Sequence, residues 1–95
     1  MEDVILKKAI VTVIGSDRPG IIAAVSAKLL EYNVNILDIS QTILQEYFAM
    51  VMLVDVTAIP VSFHTLKQGL TELGEQIGMS VKIQGAEIFD AMHKV

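Results

Sequence analysis

Cysteine and tryptophan are absent from the chain, and only two prolines occur. Without cysteine there is no disulfide framework, no thiolate metal site and no cysteine nucleophile. Charge is also sparse, at 19% of residues against a hydrophobic fraction of 53%. The seven basic residues are scattered as Lys7, Lys8, Arg18, Lys28, Lys67, Lys82 and Lys94, and the net charge is −4. That leaves no basic stripe for a phosphate backbone, so direct nucleic-acid binding is not expected. No apolar run approaches the ~18 residues of a membrane-spanning helix; the longest clear one runs from Phe48 to Val54. MEDVILKK places acids where a signal peptide needs positive charge, so a cytoplasmic protein with no membrane partner is expected. His64 and His93 lie far apart with no neighbouring carboxylate motif, which excludes a familiar metal-ligand spacing. No cofactor motif is present.

What is present is apolar patterning in a short chain. Ninety-five residues read as one domain, 1–95, with a core over 9–84. A chain this small buries only about 60–65% of its unfolded surface as a monomer. Its apolar excess therefore implies self-association, most simply a homodimer.

AIVTVI, residues 9–14, is β-branched and bounded by Gly15, as a buried strand would be. From Pro19 the period changes, and Ile22, Val25, Leu29 and Tyr32 recur at helical spacing. Pro19 suits the first helical turn, Ser16 or Asp17 could cap it, and Asn33 suits its left-handed end. Residues 35–44 and 47–57 read as strands joined by a tight turn at Gln45-Glu46. The second of these, YFAMVMLVDV, has the continuous apolar character of a central strand covered on both sides. The first is more polar, as an edge strand would be. Pro60 and Ser62 open a second helix carrying Phe63, Leu66, Leu70, Leu73 and Ile77, and Gly78 closes it. Met79 to Gln84 form a last strand, and Ala86 to Val95 a short C-terminal helix with Ile88, Phe89 and Met92 on one side.

The order βαββαβ predicts an α+β, ferredoxin-like sandwich: an antiparallel four-stranded sheet, order 4-1-3-2, with two helices on one face. The crossover rule places strands one and three side by side in the centre, and parallel. That order alone does not fix a function.

GSDRPG, residues 15–20, carries the GxxxxG spacing of a phosphate loop between a strand and a helix. A phosphate loop continues with Lys and Ser or Thr; Ile21 and Ile22 stand there, and Pro19 removes an amide from the cradle. Nucleotide binding is thereby excluded. Two readings of the loop remain: a turn with a capped helix, or a small-anion site on the first helix amides. Arg18 reads as a solvated side chain on an exposed loop. Asn35 reads either as a turn residue or as a polar ligand group.

DRPG after a first strand, then an apolar helix, then NVNI opening a second strand, resembles the ACT domain, a small regulatory module. The resemblance covers residues 9–84, and its most specific element is Gly20 with Asn35. It identifies the chain as a stand-alone member with an added C-terminal helix. It implies side-by-side pairing of edge strands into an eight-stranded sheet, with an amino acid bound between the first loop of one subunit and the second strand of its neighbour. The implied ligand-facing residues are Gly15, Asp17, Gly20 and Asn35, with Ile21 beside them. Members that bind amino acids often have a ring or a polar side chain where this chain has Gly15. The carboxylate would sit on the amides near Gly20 and Ile21, and the ammonium on Asp17 and the Asn35 amide oxygen.

Other residues offer little chemistry. Asp38 and Asp55 can face each other across strands two and three, but lack a nucleophile or metal. Ser26 has no base beside it, and Met50 and Met52 read as core packing. No enzyme is expected. Two functions stay open: a sensor that binds an amino acid or related metabolite at a homodimer interface and acts in trans on an unidentified protein partner, and a ligand-free interaction module.

Overall fold

The computed structural model describes residues 7–86, and the predicted C-terminal helix lies outside them apart from Ala86. Six elements follow in the expected order: β1 (Lys8–Ser16), α1 (Ile21–Glu31), β2 (Asn35–Leu44), β3 (Tyr47–Asp55), α2 (Phe63–Ile77) and β4 (Met79–Gly85). The sheet order is β2-β3-β1-β4, which is the predicted 4-1-3-2. One expectation is corrected: β1 and β3 are neighbours but run antiparallel. The parallel relation holds between β1 and β2, joined by the α1 crossover. β3 returns between them through a hairpin and must oppose both.

Alternation builds the core. Ala9, Val11 and Val13 of β1, Phe48, Met50, Met52 and Val54 of β3, and Met79, Val81 and Ile83 of β4 are buried in one cluster. Ile21, Val25 and Leu29 of α1 and Leu66, Leu70 and Leu73 of α2 complete that cluster, so both helices cover the same face. The α1 stripe starts at Ile21, while Ile22 is exposed. β3 is likewise covered on one face only. Its other side leaves Tyr47 and Val51 exposed, because nothing among the described residues packs there.

The ends of the elements have local causes. Ser62 caps α2, its Oγ accepting from the Thr65 amide at 3.1 Å. Gly78 ends the helix at φ 72°, as a left-handed cap requires. Asn33 turns the chain after α1 at φ 59°, and its Nδ2 donates to the Ala58 carbonyl. Gln45 takes φ 57° as the first residue of a two-residue hairpin loop between Leu44 and Tyr47.

A candidate ligand site at the first loop and the edge strand

β1 runs on through Gly15 and Ser16, so these residues are strand, paired with Phe48 and Tyr47. Gly15 is small for a packing reason. A Cβ there would stand 2.6 Å from Met79 Sδ and 3.3 Å from the Gly78 carbonyl. Met79 therefore occupies the space that a side chain at this position would fill, which explains the glycine without any ligand.

Neither Ser16 nor Asp17 caps α1. The N-cap is Gly20, left-handed at φ 85°, and no side chain bonds the first amides. Pro19 lies outside the helix, ahead of that cap. The Asp17 amide instead donates to the Glu46 carbonyl at 2.8 Å, tying the loop to the hairpin turn beside it. Gly20 has no heavy atom within 4 Å of where a Cβ would be, so its outer side is open. Of the helix's early amides, the Ala24 amide bonds the Gly20 carbonyl. The amides of Ile21, Ile22 and Ala23 precede the first helical bond and point out of the N-terminus with its partial positive charge. The Ile21 side chain itself is buried in the core, so only its amide can meet a ligand.

Arg18 is more than a solvated side chain. Its Nη1 donates to the Ile77 carbonyl at 3.0 Å, closing the C-terminal end of α2 against the loop. Arg18, Pro19, Gly20, Ile21, Gln76 and Ile77 line a recess of about 140 Å³. Complete small-molecule pockets measure about 300–1,000 Å³, so this recess is a partial one.

Asn35 is not beside it. Asn35 is level with Asp55, which is level with Lys8 on β1. Gly15 lies seven residues further along β1, about 24 Å away along the strand direction. Within one protomer Gly20 and Ile21 line the recess, Asp17 is not among its lining residues, and Asn35 lies at the opposite end of the sheet.

The strand that carries Asn35 is one of the two edges of the sheet, β4 being the other. Every residue of β2 is exposed or half-buried, and its large side chains stand out: Leu37 at 44%, Ile39 at 42%, Ile43 at 52% and Leu44 at 65% exposure. An unpaired edge of this length with apolar side chains is a template for another strand.

Two further pairings differ from expectation. Asp38 is level with Leu53 and Asp55 with Asn35, so the two aspartates do not face each other; an irregularity between Ile36 and Asp38 shifts the register. The Asp55 carboxyl is held below its usual range by hydrogen bonds from the Thr57 hydroxyl and amide. Met50 and Met52 are core residues, and His64 is exposed. No group of three potential metal ligands occurs among the described residues. No helix among them is long and apolar enough to cross a membrane.

The sequence profile of the ACT domain matches residues 7–84. The chain belongs to the ACT domain family. A UPF0237 protein of Clostridium acetobutylicum is 56% identical over 88 residues, spanning 93% of this chain and 99% of that protein. A UPF0237 protein of Methanopyrus kandleri is 50% identical over 90 residues, spanning 95% of this chain and all of that one. Among solved structures, an ACT domain protein from Streptococcus pneumoniae superposes with a TM-score of 0.79 at 42% identity, covering 92% of this chain and 98% of that one. This ACT domain thus has the fold of a family of small-molecule-binding regulatory modules.

Proposed function

We propose that this ACT domain is a sensor whose ligand, an amino acid or related metabolite, binds between two copies joined along β2. The observation that carries the reading is the separation of Gly20 from Asn35 on a sheet whose β2 edge is open. A second copy paired antiparallel along β2 reverses that strand. Its Asn35 end then comes to the Leu44 end of the first copy, beside the hairpin turn to which the Asp17 loop is bonded. The ligand carboxylate sits on the free amides at the start of α1. Asp17 and the partner's Asn35 accept from the ammonium. The half-formed recess at Gly20 becomes a pocket only in that dimer. The sensor acts in trans, through contact with a protein partner.

A thermal scan against the twenty amino acids singly tests the reading. A ligand at ten times its dissociation constant adds about 1.4 kcal/mol, which is a melting shift of several degrees for a domain this size. Gly20→Asp should abolish that shift, because the new carboxylate repels the ligand anion at the helix N-terminus. The variant's own melting point falls for a separate reason: a left-handed non-glycine residue costs roughly 1–2 kcal/mol. A shift retained in Gly20→Asp would sink the site assignment.

The exposed apolar side chains of β2 favour a second reading, an interaction module that pairs without any ligand. It is distinguished by a dimer that stays silent to all twenty amino acids.

A further inference from the structure

Arg18 carries more donors than its bond to α2 uses. Its Nη1 donates to the Ile77 carbonyl at 3.0 Å, which holds the guanidinium at the C-terminal end of that helix. A guanidinium is a planar fork of N–H donors that keeps its charge at any ordinary pH, so one carbonyl leaves most of the fork free. Among the described residues the ion pair formed is Lys28 with Glu31, and no carboxylate pairs with Arg18. We propose that Arg18 selects the ligand, and that the site takes an amino acid whose side chain ends in a carboxylate, the aspartate and glutamate class. This rests on the sensor reading above, which sets the ligand's α-carboxylate on the α1 amides.

Space directs the ligand's side chain toward Arg18. On the strand side of the loop, Met79 Sδ lies 2.6 Å from where a Cβ on Gly15 would stand, so no room remains there. The recess of about 140 Å³ is open instead, and Gly20 and Ile21 in its lining join it to the N-terminus of α1. A ligand held by the α1 amides extends along that recess.

Charge then decides what the side chain must be. Of the residues lining the recess, Arg18 alone is charged; the carboxylates of Asp17 and Glu75 are not part of the lining. Pro19 and Ile77 offer apolar surface to methylene groups, and the guanidinium meets the end group. A carboxylate there makes a charge-assisted contact that the fork can hold with two bonds. An amide of nearly the same shape accepts only a weaker bond, and an ammonium is repelled. The Ile77 bond helps, because it orders the guanidinium before the ligand arrives and less side-chain entropy is lost on binding.

Titration calorimetry of the full chain with L-glutamate, L-glutamine, L-aspartate and L-asparagine tests the proposal, since each acid and its amide differ in charge and scarcely in shape. At low ionic strength one acid should bind at least tenfold tighter than its amide. Arg18→Gln should bring that pair to within about twofold of each other. Arg18→Lys keeps the charge without the fork and should retain part of the preference. An Arg18 that only held α2 to the loop would affect acid and amide alike, leaving their ratio unchanged in both variants. Equal affinities for acid and amide in the wild-type protein would overturn the proposal, as would a preference that survives Arg18→Gln. Tighter binding of a neutral amino acid, with amide shifts at Gly20 and Ile21, would overturn selection by Arg18 and leave the sensor reading standing. Silence toward all twenty amino acids would end the sensor reading, and the proposal with it.

Discussion

Gly74→Val should melt roughly 10–20 °C below the wild-type protein, since overpacking of a core contact costs about 2–3 kcal/mol and each kcal/mol moves a domain this size by about 4–8 °C. Gly74 is buried where α2 passes over β4. A Cβ there would stand 2.5 Å from the Met79 carbonyl and 3.2 Å from the Val81 amide. Both atoms are backbone of a paired strand, so relief requires the helix to lift from the sheet. Lifting would also disturb the Ile77 carbonyl that Arg18 holds, and with it the recess beside Gly20.

Gly69, one turn earlier, is the control. A Cβ there meets the phenolic end of Tyr32, a half-buried side chain that can swing outward. Gly69→Ala should therefore change stability little, because the roughly 1 kcal/mol gained in helix propensity offsets the displaced ring. Thermal or urea unfolding of the two variants decides the matter. Equal losses at both positions would contradict the account of the close approach between α2 and β4.

Under the proposed pairing along β2, Ile39→Lys with Ile43→Lys should leave a folded 10.4 kDa monomer. Ile39 and Ile43 are 42% and 52% exposed, so neither is held in the core of one protomer. Surface changes of this kind usually alter stability by no more than about 0.5 kcal/mol. In a two-fold pairing along β2 each substitution occurs twice at one seam, and four ammonium groups then face one another in place of apolar contacts. Light scattering after gel filtration reads the mass directly. A double variant that keeps twice the single-chain mass would place the dimer elsewhere on the molecule.

The sheet order was legible because the punctuation is local. Asn33, the Gln45-Glu46 turn, Ser62 and Gly78 each mark an element end through their own local preferences, and β2 falls on the predicted 35–44. Strand direction was misread: the parallel assignment of β1 and β3 ignored the hairpin between β2 and β3, and the two run antiparallel. What escaped were contacts between distant parts of the chain. Gly15 reads as a loop glycine until Met79 is seen filling its side. Arg18 reads as solvated until Ile77, 59 positions away, accepts its hydrogen bond. Ile21 and Ile22 are equivalent in composition, and only the left-handed cap at Gly20 decides which of them enters the core.

The candidate site was legible as a set of residues but not as a place. Gly20 and Asn35 were named together, and the strand directions put them at opposite ends of one protomer. That separation is why the proposed site includes a second copy.

An amide NMR titration of the labelled protein, with the amino acid that raises its melting point, tests this most directly. The account predicts saturable shifts at Gly20, Ile21 and Ile22 and at Asn35, following one binding curve. Gly15, where the strand leads into the Gly20 loop, is about 24 Å along the strands from the level of Asn35 in a single protomer. One small ligand can reach both only between two copies. Shifts confined to the loop end, with Asn35 unmoved at saturation, would contradict it.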